Sequence, residues 1–82
     1  MNATRDEVQM ALGRLLLEKI RQDKYPSATH MSIVEHTLPP DLVRDYINVL
    51  LEKVLNDNHP SIPMLRRIAR IAEALPSEAA IR

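Results

Sequence analysis

The chain has 82 residues and six prolines, and the placement of those prolines limits its fold more than any other feature. A proline removes a backbone donor and clashes with the preceding turn, so it is tolerated at a helix start and breaks a helix interior. Pro26, the Pro39-Pro40 pair, Pro60 and Pro76 cut the sequence into four segments. Each segment carries apolar residues at helical spacing, and none alternates as a strand would. The expected elements are helices at about 5–24, 27–37, 40–57 and 61–75.

Local chemistry supports each start. Thr4-Arg5-Asp6-Glu7 has the form of a capping box, in which the Thr4 hydroxyl and the Glu7 carboxylate satisfy each other's backbone amides. Ser27 and Ser61 each follow a proline and stand where an N-cap is needed. Pro40 falls in the first turn of the third helix with Asp41 beside it, favourably placed against the helix dipole. Pro76-Ser77 repeats the device, so 76–82 is either a frayed tail or one more helical turn.

A second constraint is duplication. LLEKIRQDKYPS at 16–27 returns as LLEKVLNDNHPS at 50–61, an offset of 34 residues with seven of twelve positions identical. Over longer stretches Val8 aligns with Leu42, Leu15 with Val49, Met31 with Leu65 and Val34 with Ile68. The fold class implied is all-α: a compact four-helix bundle built from two helix-turn-helix hairpins related by this internal repeat. The chain would be a single domain, with one unit at about 5–38 and the other at about 40–75. Asp23 and Asp57, at matching positions, are expected to accept hydrogen bonds from turn amides.

Helical projection predicts which faces are buried. In the first helix Val8, Ala11, Leu12, Leu15, Leu16 and Ile20 form the broad apolar face, while Met10 and Leu17 fall on a second, narrower stripe. Gly13 lies inside this helix, where it costs about 1 kcal/mol against alanine and marks either a close crossing or a plain surface site. Met31, Val34 and Leu38 face inward from the second helix and Ile33 does not. The third helix is the most apolar and is expected at the centre.

Composition excludes several functions. Without cysteine there is no disulfide framework, redox pair or thiolate metal site. No segment approaches the roughly 18 apolar residues of a membrane span, and the N-terminus lacks the apolar region of a signal peptide, so a cytoplasmic location is expected. Eleven basic residues balance eleven acidic ones, which speaks against a dedicated nucleic-acid binder. His30, His36 and His59 do not have metal-ligand spacing, and the serines are accounted for as caps rather than as nucleophiles. No catalysis, metal, cofactor or small-molecule substrate is expected.

The function that remains is a small interaction module, an adaptor or regulatory subunit that binds a protein partner or a second copy of itself. Its candidate contact residues are Arg66, Arg67 and Arg70 on the polar side of the fourth helix and the apolar surplus of Met10, Leu17 and Ile33. Tyr25 and His59, the differing tips of the duplicated turns, complete the set. One alternative is a DNA-binding or RNA-binding protein that meets phosphates with the three arginines. Another is a structural subunit of a larger assembly.

Overall fold

A computed structural model of the chain describes residues 2–76, and among them the only regular structure is helical. The first helix, α1, spans Arg5–Gln22. The Glu7 amide donates to Thr4 Oγ1 at 3.2 Å and the Thr4 amide to Glu7 Oε1 at 3.3 Å, the expected capping box. Helix α2 covers Ala28–Thr37. A single 3-10 turn at Pro40–Leu42 leads into α3, Val43–Leu55, and α4 is Ile62–Ala72. The expectation for 76–82 lies, beyond Pro76, outside the described residues.

Helix ends differ from expectation where turn and proline chemistry acts. Helix α1 stops at Gln22: Asp23 is already extended, with φ −87° and ψ 117°, and its side chain turns to accept from the Tyr25 amide. The third helix opens in 3-10 form because Pro39 and Pro40 offer no amides and the first bond available is Leu42 N–H to Pro39 O, 3.0 Å. After Ala72 the chain tightens through Ala74 to Ile71 and Leu75 to Ala72 bonds, each 3.0 Å.

The two Pro-Ser turns are built alike. Asp23 Oδ1 accepts from the Tyr25 amide at 3.1 Å, and Asp57 Oδ1 from the His59 amide at 3.0 Å. Ser27 Oγ accepts from His30 at 3.0 Å, and Ser61 Oγ from Met64 at 3.2 Å. The helices between them do not correspond in the same way. Val8 and Leu15 are exposed whereas their partners Leu42 and Val49 are buried, and Leu17 is buried whereas Leu51 is exposed. The alignment therefore matches turns and caps, but core positions only in part, as at Val34 and Ile68, which are both buried.

Helices α1 and α3 form the central pair, with α2 packed on α1 and α4 on α3. Tyr46, Ile47, Val49 and Leu50 from α3 meet Leu17 and Ile20 from α1, Met31 and Val34 from α2, and Ile68 from α4 in one cluster. Three sides of the four-helix arrangement are close-packed. On the fourth side, between α2 and α4, the backbones do not approach one another, and side chains span the gap.

The inward face of α1 is turned relative to the expected one: Ile20 is buried and Leu16 half-buried as expected, but the rest of the face changes. Gly13, Leu17 and Ile20 are buried and Met10 is half-buried against the core, whereas Val8, Leu12 and Leu15 point outward. The reason is steric. A Cβ on Gly13 would lie 2.7 Å from Leu42 Cδ1 and 3.1 Å from Pro39 Cδ. The glycine is where α1 settles on the start of the third helical segment, and any larger residue would hold the two apart.

This contact sets the sign of a substitution. Alanine in a helix interior ordinarily gains about 1 kcal/mol over glycine. At Gly13 it must displace Leu42, which is 2 % exposed, or the rigid Pro39 ring, and overpacking of this kind costs roughly 1–3 kcal/mol. Gly13→Ala is expected to lower stability or leave it unchanged rather than raise it, as read from urea unfolding midpoints.

Candidate functional site

The arginines expected on one solvent face are divided by the structure. Arg66 is exposed. Arg67 instead turns inward, its side chain 14 % exposed, and Nη1 donates to Glu35 Oε2 at 2.6 Å. Arg70 is intermediate in role: its side chain is 68 % exposed, yet Nη2 stands 3.7 Å from Glu35 Oε1. The sequence reading of Arg67 as a free surface contact is corrected, since the residue lies within the apolar stripe of α4, between Met64 and Ile71, and must find a counter-charge there.

Glu35 is the counter-charge, and the same oxygen that takes Arg67 also accepts from the Tyr46 hydroxyl at 2.6 Å. One carboxylate thus ties α2 to α3 and α4. Tyr46 is 1 % exposed, and its phenol is pushed far above the usual range. Burial is the main cause, followed by the hydrogen bond to Glu35 and the repulsion a phenolate would meet from that carboxylate.

Of the apolar candidates, only Ile33 is on the surface as expected, at 53 %. Leu17 is a core residue and Met10 is packed against the core, so neither is available to a partner in the folded chain. Both were misassigned with the face of α1, for the reason given at Gly13. The apolar residues that do remain outside on α1 are Val8, Leu12 and Leu15, at 53 %, 44 % and 64 %. They follow one another at helical spacing and form one stripe.

Tyr25 and His59 are both exposed and are brought together, lining the same cavity of about 440 Å³. Lys53 holds the neighbouring segments in place. Its ammonium donates to Arg21 O at 3.0 Å and Asp23 O at 2.6 Å, closing the carbonyl end of α1 from a position on α3. Glu35, Tyr46 and Lys53 were not singled out from the sequence as site residues. For Glu35 a signal existed, because it falls four residues after Met31 and beside Val34, on the apolar side of its helix.

The described residues contain no group of three histidine, aspartate or glutamate side chains placed to hold a metal ion. His36 Nδ1 lies 2.7 Å from Ser32 O, a local contact within α2. No helix among the described residues is long and apolar enough to cross a membrane.

The Tyr46 environment makes stability depend on pH at the alkaline end. A phenol whose folded-state pKa is raised keeps its proton when the unfolded chain, with the ordinary value of 10.0, has released it. Folding stability is therefore intact below pH 10 and declines above it. Tyr46→Phe is expected to lose stability at neutral pH, by about 1.5–3 kcal/mol for one hydrogen bond to a charged group, and to show a shallower decline above pH 10, as measured by urea unfolding across that range. Compared with protein-family models, curated proteins and solved structures, the chain matches none.

Proposed function

We propose that the chain is a small non-enzymatic interaction module, an adaptor or regulatory subunit, whose main contact surface is the outer face of α1. The observation that carries this reading is the stripe of Val8, Leu12 and Leu15, left exposed on a helix whose opposite face already serves the core. Burying each such side chain is worth roughly 1.5–3 kcal/mol. Three in line along one helix suit a helical partner better than scattered single residues would.

A second copy of the chain is the partner best supported. Two copies of α1 laid antiparallel let Leu12 and Leu15 of each meet those of the other in the middle of the stripe. Such an arrangement is self-complementary, as a two-fold interface requires. Arg66 and Arg70 add exposed cations on α4 for an acidic protein surface, and Ile33 extends the apolar surface on α2.

Nucleic-acid binding is the less favoured reading. With Arg67 committed to Glu35, α4 keeps two outward arginines, and a formally neutral chain has no long-range attraction for phosphate. The structural-subunit reading would use the same α1 surface. The matching hydrogen bonds of the two Pro-Ser turns support an origin by duplication of a helical hairpin, with the two copies having since turned different faces inward.

Sedimentation equilibrium tests the self-association. The wild-type chain is expected to approach twice its monomer mass as concentration rises, and Leu12→Glu or Leu15→Glu to hold it at monomer mass with helicity intact. A wild type that stays monomeric throughout, or unchanged sedimentation in both variants, would exclude the α1 pairing. Leu17→Glu is unsuitable for this purpose, because it places a charge in the core.

A further inference from the structure

The side of the fold on which α2 and α4 fail to meet carries the half-open cavity of about 440 Å³, within the size range of pockets that take a single small molecule. Its floor is apolar, supplied by Met31 of α2, Val54 of α3 and Met64 of α4. The thioethers are flexible and polarisable, so they fit ligands of varied shape. Among the lining residues Lys24, Lys53 and Arg67 outnumber one carboxylate, Asp57, whose Oδ1 is engaged by the His59 amide; Arg67 is paired with Glu35 behind the wall, so the surplus rests on the two lysines.

Each cation retains capacity to bind. Lys53 gives two of its three protons to the carbonyls of Arg21 and Asp23. Arg67 gives Nη1 to Glu35 and also lies beside the Tyr46 hydroxyl, leaving part of its five-donor guanidinium for the cavity it lines. Lys24 stands at the rim with its ammonium 5.5 Å from the centre of the Tyr25 ring, a position that leaves it accessible from the cavity.

From this combination we infer that the seam between α2 and α4 is a binding site for a small organic anion with an apolar body, such as an aromatic or aliphatic carboxylate or sulfonate. The apolar part rests on Met31, Val54 and Met64, and the anionic group meets Lys53 and Arg67 with Lys24 at the entrance. An extended peptide fits less well, because the walls are helices and their caps, with no strand edge to pair with a peptide backbone. The site is independent of the α1 face and does not require the chain to associate.

The probe is anilinonaphthalene sulfonate, compared with uncharged phenylnaphthylamine, which has the same rings and no anion. The expected result is saturable one-to-one binding of the sulfonate, about tenfold tighter than the uncharged dye, as a charge-assisted contact implies. Lys24→Glu, an exposed change in a turn, should weaken the sulfonate by roughly threefold to tenfold and leave the uncharged dye unaffected. Leu12→Glu, which removes the apolar stripe of α1, should alter neither. Amide chemical shifts should move at 24–28 and 57–64 on titration. Absence of saturable binding, equal affinity for the two dyes, or loss of binding in Leu12→Glu would overturn the assignment. So would a peptide of alternating Glu and Leu that shifts the same amides where the sulfonate does not, since the occupant would then be a protein segment.

Discussion

The fold depends on one carboxylate. Glu35 Oε2 receives the Tyr46 hydroxyl and the Arg67 guanidinium, each at 2.6 Å, and through them α2 is joined to α3 and α4. Helix α2 has ten residues and buries only Met31 and Val34, a small apolar contribution for an element that must hold a fixed position. A half-buried charge is tolerable there because it has two strong donors, and no buried side-chain polar atom among the described residues is left without a partner. Replacing such a cluster by aliphatic residues need not weaken a protein, but removing one member leaves the others exposed to the full desolvation cost. The cluster therefore determines which helices face each other more than it adds net stability.

A second contact sets the rotation of α1. Gly13 lets that helix descend onto Leu42 and Pro39, which brings Met10, Leu17 and Ile20 inward and turns Val8, Leu12 and Leu15 to the outside. The two constraints together account for both proposed surfaces. The glycine contact leaves an apolar stripe unused on one side of the molecule. On the other side, the Glu35 cluster joins α2 and α4 through side chains rather than by close packing, and the space between them becomes a cavity with a cationic wall.

What could be read from the sequence is what is local in the chain. The capping box at Thr4 and Glu7, the serine caps, the aspartate turns and the proline boundaries each depend on residues within four positions of one another. All appear as expected, with helix ends displaced by at most three residues. Rotation of α1 was not legible, because both sides of that helix are apolar and the leucine-rich side is the more conspicuous. Space for a close approach is signalled by a missing side chain, which a count of apolar residues passes over. The Glu35–Arg67 pair joins residues 32 apart, and nothing in either segment names the other. Its trace is indirect: opposite charges, each set into the apolar stripe of an otherwise amphipathic helix, as Glu35 is between Met31 and Leu38 and Arg67 between Met64 and Ile71.

A double-mutant cycle between Glu35 and Arg67 addresses this most directly. Unfolding free energies of Glu35→Ala, Arg67→Ala and the double variant would isolate the coupling between the two side chains. A coupling of about 1–3 kcal/mol, with the double variant losing much less than the sum of the single ones, is the result this structure predicts. Additive losses, with coupling within about 0.5 kcal/mol of zero, would contradict it and show that α2 and α4 are held by apolar packing alone.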